Sequence, residues 1–234
     1  MVCINTHPII TYLLYLSLLL GFIPILISIF FPKKTRNLRI ISLYLFAGLF
    51  TDLFLNPISK IYFNSLFFAS KIFTATEFVL VSLFLYPLIQ LKLKKIIFLA
   101  FSFLFFLTLF TENVLINNQN FDSVSTGVSA LLVLIYSITY LFSKVSYESN
   151  QESFKIDSTF LIISSIIIYF SGTFFIYILT KNNFIDQDFR SSYSLINALV
   201  LTSRNLILVF AFLKNLKASF NQNTYTSPST KYSI

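Results

Sequence analysis

The sequence predicts an all-α, polytopic membrane protein built as a seven-transmembrane-helix bundle. Hydrophobic residues make up 56% of the 234 residues and charged residues only 11%, whereas soluble domains carry roughly 25% charged residues. The apolar residues lie in seven long runs, and about 20 apolar residues are enough to cross a bilayer. Because these runs are continuous rather than alternating with a period of two, they disfavour a β-barrel.

Prolines, charges and polar loops set the predicted ends of the spans. The first span ends before Pro32 and a basic cluster, the second stops at Pro57, and the third ends before Lys92. Polar residues at 117–122 and 181–190, and a charged linker at 144–157, separate the later spans. The seven spans are predicted at 8–31, 40–56, 67–90, 96–110, 124–142, 160–180 and 193–213.

These spans predict one seven-helix transmembrane domain over residues 1–216. The remaining segment, 217–234, is rich in Ser, Thr and Asn and has no apolar period. Such a composition is typical of disorder, so we expect a disordered cytoplasmic tail.

Lys and Arg are distributed unevenly between the two sides that seven spans define. Most of them follow the first, third and fifth spans or lie in the C-terminal segment. Cytoplasmic loops carry the excess of Lys and Arg, which places the N-terminus outside and the C-terminus in the cytoplasm. The net charge of +8 is then a topology signal and a contact with the lipid bilayer, and we expect no nucleic-acid partner.

Cysteine and histidine each occur once, as Cys3 and His7. One cysteine cannot form an internal disulfide, and neither residue type can supply the several ligands of a zinc, iron–sulfur or paired-histidine haem site. The sequence therefore predicts no metal site and no cofactor.

Four ionisable residues lie inside the predicted spans, where charges are costly and usually face the interior of the bundle. At about 1.5 Å per residue, Glu77 and Arg204 lie about 15 Å from the outer surface, near the middle of the bilayer. Asp52 and Lys71 lie about 6–8 Å deep on the same scale. Opposite charges at matched depths predict two ion pairs, Glu77 with Arg204 and Asp52 with Lys71.

Further polar and small residues cluster near these charges along the helices. Asn197 shares a face with Arg204 because the two are seven residues apart. Thr74 similarly shares a face with Glu77, and a glycine in the sixth span permits close packing. The predicted ligand pocket in the outer half of the bundle comprises Asp52, Lys71, Thr74, Glu77, Tyr169, Ser171, Gly172, Asn197, Arg204 and Asn205. A purely structural role for the same polar contacts is the alternative.

Several segments resemble an uncharacterised bacterial family of small seven-helix integral membrane proteins. The matching segments are Thr76-Glu77-Phe78 with Ser82-Leu83-Phe84-Leu85-Tyr86, Ile168-Tyr169-Phe170-Ser171-Gly172, and the Asn197/Asn205 span that closes in Leu213-Lys214. Glu77, Tyr169, Ser171, Gly172 and Asn197 match the family pattern, which does not place Lys71 or Arg204. The resemblance implies a multi-pass protein of the bacterial inner membrane and a loose similarity to sensory membrane modules.

Three functional hypotheses follow from these observations. The first is a non-enzymatic sensory or receptor-like module that binds a small molecule or lipid and signals through a cytoplasmic partner, since no soluble output domain fits in the loops. The second is a small transporter or a proton- or ion-coupled carrier. The third is an intramembrane hydrolase in which Asp52 and Glu77 act as a carboxylate pair.

Overall fold

The computed structural model describes residues 8–30, 36–63, 67–89, 94–115, 124–148, 156–183 and 187–225. All regular secondary structure in these ranges is helical, which confirms the all-α part of the predicted fold class. We number the helices α1 (Pro8–Phe30), α2 (Arg36–Phe50, continued by Thr51–Leu55 and Asn56–Phe63), α3 (Phe67–Leu85), α4 (Lys94–Leu115), α5 (Val124–Glu148), α6 (Ser158–Asn183) and α7 (Gln187–Tyr225).

Five helical segments are long and apolar enough to cross a membrane. They are Pro8–Phe30, Asn37–Ser59, Val124–Ser146, Ser158–Ile176 and Ser194–Ala218, and a shorter apolar helix covers Ile96–Glu112. Their outer faces carry large apolar side chains, for example Tyr12, Phe103 and Phe142, each at least 70% exposed. Such a surface is stable against lipid rather than water, so the chain is a multi-pass membrane protein.

The helices are arranged as a ring in which α4 lies on the outside. Each helix packs against the next in the order α1, α2, α3, α5, α6 and α7, and α7 packs back against α1. Helix α4 packs against α5 and reaches α3 through Phe105, whose ring stacks on that of Phe78 at a centroid distance of 4.2 Å. The large side chains that are fully buried include Phe78, Phe84, Phe105 and Phe170, and the rings of Phe78 and Phe105 pack between α3 and α4.

Helix α2 does not end at Pro57 as predicted. Residues Thr51–Leu55 form one π-helical turn, in which the Asn56 N–H donates to the carbonyl of Thr51, five residues earlier. Proline has no N–H, and its ring clashes with the carbonyl four residues earlier in a regular α-helix. The wider π turn makes room for Pro57, and the helix therefore continues to Phe63.

Other predicted boundaries also shift. Helix α3 ends at Leu85 rather than at 90, because Pro87 restrains the residue before it and the chain turns there. Helix α5 continues to Glu148 and so takes in the start of the predicted linker.

The predicted disordered tail is wrong for residues 217–225, which continue α7 as far as Tyr225. No Gly or Pro occurs between 194 and 225, and extending an existing helix adds one hydrogen bond for each residue fixed. Residues 226–234 lie outside the described ranges, as do Cys3 and His7.

Candidate functional site

The hydroxyl of Tyr44 joins Glu77 on α3 to Arg204 on α7. It donates to Glu77 Oε1 at 3.0 Å and accepts from Arg204 Nη1 at 2.7 Å. Tyr44 is 2% exposed and Glu77 is 4% exposed, and the hydroxyl of Tyr169 also lies beside the Glu77 carboxylate. A phenol can donate and accept at once, so Tyr44 satisfies both charges where we predicted a direct ion pair.

Besides Tyr44, two further side chains, those of Tyr169 and Asn205, fix the guanidinium of Arg204. Its central carbon lies 4.5 Å from the ring centre of Tyr169 and 5.4 Å from that of Tyr44, within the range of cation–π attraction. Its Nε donates to Asn205 Oδ1 at 3.0 Å, and Asn205 Nδ2 in turn donates to the carbonyl of Ser17 at 2.7 Å. Four helices, α1, α2, α6 and α7, therefore contribute to the position of one half-buried cation.

Arg204 faces a cavity of about 200 Å³ between these helices. Polar and charged groups of α2, α6 and α7 and small residues of α1 and α2 line it. We call it the polar cavity; it is lined by Ser17, Leu18, Gly21, Tyr44, Leu45, Gly48, Leu49, Asp52, Phe73, Tyr169, Asn197, Leu201, Arg204 and Asn205.

The predicted outer ion pair is not how the structure arranges Asp52 and Lys71. Asp52 is exposed in the π turn, accepts from Asn56 Nδ2 at 3.3 Å and lines the same cavity as Arg204. Lys71 is 8% exposed and lies one turn before Thr74, whose hydroxyl is 3.4 Å from that of Thr126 on α5. Neither Lys71 nor Thr74 lines the polar cavity.

The predicted residues of α6 are divided by their helix faces. Tyr169 lines the polar cavity, whereas Ser171 is exposed and donates to its own helix at the carbonyl of Ile168, 3.1 Å away. Gly172 lies against α7, where a Cβ atom would come within 2.5 Å of a Val200 methyl group. Its small size therefore permits close helix packing and places nothing in the cavity.

The structure brings five of the predicted pocket residues into the cavity wall: Asp52, Tyr169, Asn197, Arg204 and Asn205. Glu77 takes part through Tyr44, which is not among the predicted pocket residues. The signal for Tyr44 was available, since Tyr44, Gly48 and Asp52 recur every four residues on one face. Gly21 was missed as well; a Cβ atom there would lie 3.3 Å from Asn205 Nδ2.

A second buried carboxylate, Glu112 near the end of α4, belongs to a different kind of site. It is 3% exposed and accepts the backbone N–H groups of Val124 at 3.3 Å and Ser125 at 3.1 Å. These are the first two residues of α5, whose N–H groups have no partner within the helix. Glu112 therefore caps α5 from a neighbouring helix, and its negative charge complements the dipole of that helix.

No group of three or more His, Cys, Asp or Glu residues that could hold a metal ion occurs within the described ranges. Comparison with protein-family models, with curated proteins and with solved structures gave no match.

Proposed function

We propose that the chain is a seven-span protein of the bacterial inner membrane, with its N-terminus outside and its C-terminus in the cytoplasm. Five segments have the length and composition of membrane spans. The 19 residues of α3 rise about 28 Å and the 22 residues of α4 about 33 Å, close to the hydrocarbon thickness of about 30 Å. The excess of Lys and Arg on one side supports this orientation.

Within this arrangement we propose a non-enzymatic, receptor-like sensory module whose polar cavity binds a small molecule or a lipid head group. One observation carries the proposal: Arg204 reaches the cavity half-buried and is held by Tyr44 of α2, Tyr169 of α6 and the adjacent Asn205. Arginine has five N–H donors, more than these contacts use. The carboxylate of Asp52 lines the same cavity, so both signs of charge are offered to a ligand.

A ligand bound to Arg204 would compete with groups that hold the helices together. The guanidinium contacts Tyr44 on α2, Tyr169 on α6 and Asn205 on α7. Changing any of these contacts changes the free energy of one helix arrangement relative to another, which is the requirement for a ligand to shift a conformational equilibrium.

Helix α7 provides a route from the cavity to a cytoplasmic partner. It is one helix of 39 residues, about 58 Å long, and so extends well past a hydrocarbon layer of about 30 Å. Arg204 and Asn205 lie within its span, and the same helix continues to Tyr225. Movement of α7 at the cavity is therefore transmitted rigidly to a segment that a cytoplasmic signalling partner can bind.

A small transporter is the second candidate, and the π turn in α2 favours it. Isolated π turns occur frequently at functional sites, and irregular backbone within a membrane is tolerated where it lines a cavity. Asp52 lies in this turn and lines the polar cavity. Uptake of a substrate into proteoliposomes that Asp52→Asn abolishes would favour transport over sensing.

Native mass spectrometry of the detergent-purified protein tests ligand binding. We expect a small molecule or lipid retained by the wild type and lost from Arg204→Gln. Glu112→Gln is the matched control, because it alters a buried charge outside the cavity, and it should retain the species. If both variants retained the species, or if both lost it, the result would count against the polar cavity as the binding site.

A further inference from the structure

A second cavity, of about 260 Å³, lies between α3, α4 and α5, apart from the polar cavity. Its wall is almost entirely apolar and aromatic, and none of its residues lines the polar cavity. We call it the aromatic cavity; it is lined by Ser82, Leu85, Tyr86, Ile89, Ile97, Phe98, Phe101, Ile135, Tyr136 and Thr139.

We propose that the aromatic cavity binds a small aromatic molecule that carries a single hydrogen-bonding group. The volume is suitable, since a dry apolar cavity of roughly 150 Å³ is enough to bind benzene. One substituted ring therefore fits with little room to spare, whereas drug-sized ligands occupy pockets of roughly 300–1,000 Å³.

The aromatic side chains of the wall favour a ring over an aliphatic chain. Tyr86 and Phe98 meet edge to face at a centroid distance of 5.1 Å, and Phe101 and Tyr136 meet at 5.0 Å. Phe98 and Tyr136 lie 6.4 Å apart and complete the cluster. Aromatic rings prefer such offset and edge-to-face arrangements at 4.5–7 Å, so one further ring in the cavity gains the same contacts.

Ser82 supplies the hydrogen-bonding group of the cavity wall, since the hydroxyls of Tyr136 and Thr139 already donate to backbone carbonyls. It is 2% exposed, and within the described ranges its hydroxyl is one of two buried side-chain oxygens with no hydrogen-bond partner, the other being Ser137. Buried hydroxyls are normally satisfied. Rotation of the Ser82 side chain to another staggered rotamer would let this one bond a ligand hydroxyl or amide in the aromatic cavity.

The rim of the cavity faces the lipid side of the bundle. Ile135 is 43% exposed, and neighbouring Thr139 is half-buried. An apolar ligand would therefore enter from the bilayer. A lipid acyl chain could enter by the same route, and the experiment must separate the two.

The test measures binding of two probes, 4-fluorobenzyl alcohol and 4-fluorotoluene, by ¹⁹F NMR. The purified protein is held in phospholipid nanodiscs. We expect both probes to bind the wild type saturably. In Ser82→Leu the larger side chain fills the cavity, so this variant should show only partitioning of the probes into the lipid. Ser82→Ala should lower the affinity for the alcohol by about two- to twelvefold, which corresponds to one hydrogen bond. The affinity for 4-fluorotoluene should not change.

Ser137→Ala is the matched control, because it removes the other unpartnered hydroxyl without touching the aromatic cavity, and it should leave both affinities unchanged. Equal probe signals from the wild type and Ser82→Leu would overturn the proposal. So would saturable binding in detergent that disappears in nanodiscs, because an acyl chain would then occupy the cavity. The alcohol and toluene affinities are measured in the same samples, so misfolding of Ser82→Ala would affect both and be recognised.

Discussion

Glu77 and Glu112 are both buried carboxylates, at 4% and 3% exposure, but their partners differ in kind. Glu112 accepts two backbone N–H groups at the start of α5. Glu77 accepts a hydrogen bond from the hydroxyl of Tyr44, and the same hydroxyl accepts one from Arg204 beside the polar cavity. Backbone groups at a helix end are fixed by the helix itself, whereas a hydroxyl can rotate toward another partner.

This difference separates a structural carboxylate from one that can respond to a ligand. Removing the acceptor at Glu112 takes a charged partner from two backbone donors whose positions the helix fixes. At Glu77, a ligand that binds Arg204 can take over part of the network and let Tyr44 reorient. Burial and charge alone therefore do not distinguish the two glutamates; under the proposed function, the chemistry of their partners does.

The largest expected effect is on stability, from Glu112→Ala. Two N–H groups of α5 lose a charged acceptor, and hydrogen bonds to charged groups are worth about 1.5–3 kcal/mol each. We expect the free energy of unfolding to fall by about 3 kcal/mol, measured by denaturant titration in detergent, with ligand retention unchanged in the folded fraction. Glu112→Gln keeps an acceptor and should cost clearly less. A loss of ligand with normal stability would reverse the distinction between the two glutamates.

Tyr44→Phe should have the next largest effect and should act on the other region. It removes one donor to Glu77 and one acceptor for Arg204, so the free energy of unfolding should fall by about 1–2 kcal/mol. We also expect the retained ligand to be lost in native mass spectrometry. Tyr136→Phe is the control, since its hydroxyl makes one hydrogen bond, to the carbonyl of Ile97 at 3.3 Å. Equal stability losses from the two substitutions, with ligand retained by both, would show that Tyr44 is an ordinary packing contact.

Much of the fold could be predicted from the sequence because the bilayer imposes it. Backbone groups in lipid must be satisfied internally, so long apolar runs become helices, as in Pro8–Phe30. The errors fall where local backbone chemistry decides. Pro57 appeared to end a helix, but a π turn accommodates it. The segment 217–225 appeared too polar to be ordered, but it extends a helix that is already formed.

The site was predicted in part for a similar reason. Arg204, Asn205 and Asp52 stand out because charges and amides are rare within spans, and they line the cavity. Tyr44 does not stand out among 13 tyrosines, and only its position between two charges reveals its role. Glu112 lies just beyond the predicted fourth span, 96–110, and sequence order cannot show which backbone groups its side chain will meet.

Gly172→Ala tests whether the polar cavity depends on close packing between α6 and α7. A Cβ atom would lie 2.5 Å from a methyl group of Val200, and overpacking of this kind costs about 1–2 kcal/mol. Because Tyr169 lies three residues earlier, we expect weaker ligand retention as well as a lower melting temperature. Val200→Ala in the same chain should restore both. A double variant as impaired as the sum of the single ones would show that the contact is not the cause.

The smallest effects are expected at Asp157, a third carboxylate, whose side chain is 51% exposed. It caps α6 by accepting the Phe160 N–H at 2.8 Å and pairs with Lys144 at 2.6 Å. Asp157→Ala should cost about 1 kcal/mol through loss of the cap. The Lys144 side chain is 9% exposed but ends on a half-exposed carboxylate, where ion pairs contribute little, so Lys144→Met should cost at most about 0.5 kcal/mol through loss of the charge. Only the Lys144 effect should shrink with added salt, as thermal unfolding at two ionic strengths will show. If Lys144→Met cost as much as Asp157→Ala, the ion pair rather than the helix cap would stabilise the N-terminus of α6. Asp157 would then not be a capping carboxylate of the same kind as Glu112.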